Sequence, residues 1–200
     1  MRSNSSPRAV SMITGMPEFS RIERHRESPS SPGIMMSSTT RSMALLFITL
    51  RALAASWAVV GLCPLTESSL GDGIFDGASY LAVGGCFGIG TDSNIQIDAA
   101  AELRQLEYEQ RLARRARNVM TMQEGESTGR RLLDSARVGG AQALQRPVDA
   151  LTAGLRADIV LLDKQHPDLA SRHGDEWLNA WIFVVGLRAV KRCSSAERSS

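Results

Sequence analysis

Cysteine is scarce: Cys63, Cys86 and Cys193 are scattered along the chain, and no C-x-x-C pair occurs. An odd, dispersed set of this kind argues against a disulfide framework or a zinc knuckle and fits reduced thiols in a cytosolic protein. A strong excess of either charge is missing as well, and a net charge of +2 predicts no polyanion partner by itself. Aromatics are few, and none interleaves the basic run Arg111, Arg114, Arg115, Arg117. With acids preceding that run, it reads as a solvated helix end rather than a nucleic-acid footprint. An uninterrupted membrane-length apolar run is the remaining absence. Met43 to Cys63 approaches the ~20 residues that spanning takes, but Arg51 lies near its middle, where a charge costs about 2.5–3.5 kcal/mol on insertion scales. The run also starts far from Met1, with no convincing small-residue cleavage pattern after it, which excludes a secretory signal. The expectation is a cytoplasmic protein with no membrane role.

What is present falls into four stretches. Residues 1–42 are rich in Ser, Arg and Pro, with little to bury, and are expected to be a disordered leader. Glu18, Glu23 and Glu27 count against a mitochondrial transit peptide. From 43 to 146 helical and strand patterns alternate. Leu45 to Ser56 reads as a helix, and Ala58 to Cys63 as a strand apolar enough to be covered on both faces. Thr66 to Gly73 reads as a polar loop, Ile74 to Val83 as a short helix ended by Gly84-Gly85, and Phe87 to Gly90 as a second strand. A long helix follows from about Ala99 to Asn118, with Asp98 as its N-cap, Leu103, Leu106, Gln110 and Ala113 on one face, and a Glu107–Arg111 pair at i,i+4. Thr128 to Leu144 is a further helix, with Leu132, Leu133, Ala136, Ala143 and Leu144 inward. Its Gly139-Gly140 pair implies close packing on a neighbour. Residues 147–190 hold a strand at Ala157–Asp163 and an apolar segment at Trp177–Val185. Leu187–Val190 could begin a last strand, and 191–200 show no fold signal and are expected to be a disordered tail. The order is that of a βα-barrel or a doubly wound sheet.

Chemistry is concentrated in Phe87-Gly88-Ile89-Gly90-Thr91-Asp92-Ser93-Asn94. A buried strand ending on a carboxylate is how a (β/α)8 barrel presents a catalytic group. On these residues alone, Asp92 is as readily a turn former as a ligand.

Four segments carry a resemblance: Gly61-Leu62-Cys63-Pro64-Leu65-Thr66-Glu67, Leu70-Gly71-Asp72-Gly73-Ile74-Phe75, the Phe87–Asn94 stretch, and Glu102-Leu103-Arg104-Gln105-Leu106-Glu107-Tyr108. Ser127 to Leu132, Ala157 to Asp163 and Asp175 to Phe183 continue it in register. Over about residues 52–190 the chain resembles the formimidoylglutamate deiminases of the amidohydrolase superfamily. The resemblance implies part of a metal-binding (β/α)8 barrel, with residues 58–63 and 87–90 as its last two strands, plus the remnant of a small β domain. It implies hydrolysis of N-formimino-L-glutamate to N-formyl-L-glutamate and ammonia in histidine breakdown, with Zn2+ as cofactor. Asp92 is then the strand-eight aspartate, both metal ligand and proton acceptor. The family's other ligands are histidines, and none of His25, His166 and His173 matches them. Trp57 stands where the family usually has a small residue. The expectation is therefore a truncated or frame-shifted piece, inactive alone. The alternatives are another deaminase of the superfamily, or a non-catalytic module that completes a barrel with a separate N-terminal fragment.

Overall fold

The computed structural model describes residues 38–145 and 158–195. Most of the expected leader, residues 1–37, lies outside them. Helix α1 (Ser38–Ala55) leads into strand β1 (Val59–Leu62), helices α2 (Pro64–Leu70) and α3 (Gly77–Ala82), and strand β2 (Cys86–Ile89). Helices α4 (Ala99–Arg114) and α5 (Thr128–Leu144) follow, then strand β3 (Asp158–Leu162), helix α6 (Glu176–Ala180), a π turn at Trp181–Val185, a 3-10 turn at Gly186–Ala189 and strand β4 (Val190–Ser195). β1 and β2 pair in parallel, Val60 opposite Phe87 and Gly61 opposite Gly88, with α2 and α3 in the crossover. β3 and β4 form a separate antiparallel ribbon with an irregularity at Leu161/Leu162.

Several boundaries differ from the sequence reading, each for a local reason. The helix assigned to Leu45 onward starts at Ser38, so residues 38–42 of the expected leader are helical. Once a helix is nucleated, each added residue gains a hydrogen bond at little further cost. The polar loop expected at 66–73 is instead α2. Pro64 occupies its first turn, where the missing N–H is no loss, and Gly71 closes it at φ 77°. α4 stops at Arg114 rather than Asn118, because Arg115 turns left-handed at φ 51°. The chain then doubles back so that the Val119 and Met120 amides donate to the Glu107 carboxylate, both at 3.0 Å. The tail expected to be without structure from Lys191 runs as β4 to Ser195, because β3 offers it a ladder.

The core gathers Leu62, Phe87, Leu103, Leu106, Met120 and Leu132, joined by Trp181 and Ile182 from the π turn. α5 lies on β2 through its glycines. A Cβ at Gly139 would overlap the Phe87 carbonyl, and one at Gly88 would sit 3.4 Å from the Gly140 Cα. Gln110, on the inner face of α4, donates to Phe75 O at 2.7 Å and accepts from Ala78 N at 3.3 Å, pinning the entry to α3. Ala143 and Leu144 are exposed rather than inward, as is Ala113. β1 is not covered on both faces either: Gly61 is exposed and Val59 and Val60 are half-buried.

Candidate functional site

Parallel pairing brings the C-terminal ends of β1 and β2 to the same edge. The ladder runs one bond past β2, with Gly90 N donating to Leu62 O at 2.9 Å. Thr91 and Asp92 follow at once, so Asp92 stands at the strand end where the sequence places it. It is exposed and its backbone is left-handed, φ 45°. Asn94 N closes the turn onto Thr91 O at 3.0 Å, and the Asn94 Oδ1 accepts from Gln96 N at 2.8 Å.

Beside this turn lies a group of acids that sequence reasoning did not single out. Glu67 accepts from Cys63 N at 2.7 Å, and Glu102 of α4 accepts from Leu65 N at 2.9 Å. Glu109, about two turns further along α4, takes the Ser68 hydroxyl and the Gln105 side-chain amide, the latter at 3.1 Å. Glu102 and Glu109 are buried, and Glu102 Oε1 has no hydrogen-bond partner. A signal for them exists: Glu102, Leu106 and Glu109 share the i, i+4, i+7 stripe that faces the core.

Burial pushes the Glu102 carboxyl above the ordinary carboxylate range; the Leu65 amide opposes the shift, and Glu67, Asp98 and Glu109 add to it. Glu67 is raised by its own burial, against the Cys63 amide, with Glu109 and Asp72 adding. Burial also raises the Cys63 thiol, reinforced by Glu67, Asp92 and Glu102. A thiol that keeps its proton is a poor nucleophile. All three cysteines are unpaired, in keeping with the sequence.

The histidines do not join Asp92. His166 lies in the turn after β3, its Nδ1 accepting from Asp168 N at 3.3 Å. His173 is exposed ahead of α6, its backbone N donating to Glu176 at 3.1 Å. His25 lies outside the described residues. Among the described residues no three His, Cys, Asp or Glu side chains form a group able to hold a metal ion. A catalytic zinc takes about three protein ligands and an open position. The described donors therefore do not fit the zinc that the resemblance implies. No described helix is long and apolar enough to cross a membrane.

Away from this edge, a groove of about 530 Å³ lies between α4, the start of α5 and α6, lined by Tyr108, Arg111, Arg117, Ser127, Asp175 and Phe183. Arg111 sits over the Tyr108 and Phe183 rings at 5.4 and 5.3 Å and pairs with Glu107 at 2.7 Å, as the i,i+4 spacing predicts. It is thus fully engaged in structure.

Formimidoylglutamate deiminase of Pseudomonas aeruginosa is 48% identical over 147 residues, covering 74% of this chain and 32% of the deiminase. Among solved structures, an amidohydrolase from Brucella melitensis superposes with a TM-score of 0.69 at 46% identity, covering 74% of this chain and 32% of its own. A zinc-bound adenosine deaminase from Xanthomonas campestris shares the fold at TM-score 0.63 and 21% identity, over 74% of this chain and 33% of its own. The chain thus spans about a third of the length of the relatives it matches. The amidohydrolase family pattern matches residues 31–192, reaching upstream of the stretch of about residues 52–190 over which the sequence itself carries the resemblance. With that match across most of its length, the chain belongs to the amidohydrolase family.

Proposed function

We propose that this chain is the C-terminal part of a formimidoylglutamate deiminase. In this reading β1 and β2 are the last two strands of a (β/α)8 barrel, and β3 returns the chain to a small β domain. The barrel part is residues 43–146 and the small-domain remnant 147–190. The 48% identity along three quarters of the chain carries the proposal. The substrate is N-formimino-L-glutamate, whose C–N bond is hydrolysed to give N-formyl-L-glutamate and ammonia. Asp92 is the strand-end carboxylate that accepts a proton in that hydrolysis and returns it to the departing nitrogen. Its exposed place at the shared C-terminal edge of the parallel pair supports that role. The described residues lack a zinc-holding set, and in this reading the chain alone is inactive. Ammonia release from N-formimino-L-glutamate, followed with zinc content in parallel, tests this. The expected result is neither turnover nor stoichiometric zinc, and turnover by the purified chain overturns its assignment as inactive.

A second reading has its own support. Leu45 and Ile48 of α1 are 66% and 63% exposed, Ile95 is fully exposed, and the β1–β2 pair has no third strand among the described residues. Open strand edges and bare aliphatics suit a module that completes a barrel with a separate N-terminal piece. Co-expression with the first two thirds of the Pseudomonas deiminase should then raise soluble yield and bring both pieces down together. Unchanged yield and no co-purification count against it.

A further inference from the structure

Asp92 occupies a backbone conformation that a residue with a Cβ adopts at a cost, φ 45°, in a turn with only one internal backbone bond, Asn94 N to Thr91 O at 3.0 Å. A second bond reaches the same carbonyl from outside the turn. Thr66, in the first turn of α2, donates its hydroxyl to Thr91 O at 2.9 Å. Thr66 is 2% exposed. Its two neighbours along the chain are themselves tied: Leu65 N donates to Glu102 of α4, and Glu67 accepts from Cys63 N. The Thr66 hydroxyl is thus fixed in place before it meets Thr91.

We propose that Thr66 is the positioning residue for Asp92: its hydroxyl bond to the Thr91 carbonyl holds the turn in the left-handed form that presents the Asp92 carboxylate at the strand edge. The functional meaning rests on the reading of Asp92 as the proton-accepting acid, whereas the geometry does not. Because α2 follows β1 and Asp92 follows β2, the bond makes the end of one strand set the acid on the next.

The test is NMR on the isotopically labelled full chain, comparing the parent with Thr66→Val and Thr66→Ser. Valine keeps the shape and removes the donor; serine keeps the donor. In Thr66→Val the Asn94 amide should exchange about tenfold faster, the loss expected for one buried hydrogen bond. The Asp92 Cα and Cβ shifts should lose their left-handed signature, while the Phe87 and Gly88 amides of the ladder stay as in the parent. Thr66→Ser should return Asn94 exchange to within about twofold of the parent. Parental Asn94 exchange and Asp92 shifts in a folded Thr66→Val chain would overturn the proposal, as would a serine variant that behaves like valine. If Thr66→Val does not fold, the parent decides alone: its Thr66 hydroxyl proton must exchange slowly with water, and exchange at the bulk rate sinks the idea. None of these readouts needs turnover, so failure here is separate from failure of the ammonia assay.

Discussion

Two carboxylates of α4 show how much the number of donors matters to a buried charge. Glu107 is fully buried and has three: Arg111 Nε at 2.7 Å and the amides of Val119 and Met120 at 3.0 Å each. Glu102 is equally buried and has one, from Leu65, with its second oxygen unpartnered. Burying an acceptor without a donor costs free energy, which the protonated carboxyl avoids. That is why Glu102 is held above the ordinary range. A folded-state pKa above the unfolded one means the folded chain binds the proton more tightly. The stabilising contribution is complete below the ordinary carboxylate range and is lost as pH rises through the raised value. Glu67 works in the same direction. Glu102→Gln keeps an acceptor for Leu65 N and removes the ionisation. It should stabilise the chain at pH 8 by on the order of 1 kcal/mol, the scale of one poorly satisfied buried polar group, with a smaller effect at pH 4. Urea titrations at the two pH values measure both effects, and a variant weakest at pH 8 contradicts this account of Glu102.

At the scale of elements, α5 packs closely against β2. Gly139→Ala would drive a methyl into the Phe87 carbonyl, which belongs to the backbone and cannot rotate away. The expected loss is about 3 kcal/mol, at the upper end for overpacking. Gly140→Ala meets nothing within 4 Å and should gain about 0.5–1 kcal/mol from helix propensity. Thermal unfolding of the two variants should move in opposite directions. This packing was legible in advance, because a glycine pair inside an otherwise apolar helical pattern weakens the helix unless a neighbour needs the space. So were the α5 span, the Asp98 cap, whose Oδ1 accepts from Ala100 N, and the parallel strands with Asp92 behind the second. α2 was missed because Thr66, Glu67, Ser68 and Ser69 are polar, and polarity outweighed the Pro64 and Gly71 boundaries. The buried acids Glu102 and Glu109 are not legible as a site in the sequence, because a charged residue ordinarily signals exposure, whereas these two accept from Leu65 N and the Ser68 hydroxyl of the segment after β1. The Thr66–Thr91 bond joins residues 25 apart, and no local pattern encodes such a pairing.

At the scale of the molecule, the described residues hold more exposed apolar surface than their own elements cover. Leu45, Phe47 and Ile48 on α1, Trp57 at 83% exposure, and Ile95 and Ile97 beyond Asp92 all face outward. Scattered exposed aliphatics are ordinary, but a run along one helix signals a missing neighbour. Ile48→Lys together with Ile95→Lys should change unfolding free energy by less than about 0.5 kcal/mol, since neither side chain is buried. The pair should also raise the concentration at which light scattering detects self-association. An unchanged scattering threshold would mean these faces are not what makes the chain sticky.

The seam between α4–α5 and residues 175–189 is of the opposite kind. Trp181 and Ile182 enter the main core, Phe183 stacks on Tyr108 at 6.0 Å, Asn179 receives Gly129 N at 2.8 Å, and Arg130 pairs with Asp175 at 2.8 Å. None of these contacts depends on the peptide bonds of residues 146–157. A chain cut within that interval should therefore keep its two pieces together in gel filtration, since the cut costs them proximity rather than complementarity, and separate elution of the pieces would contradict this.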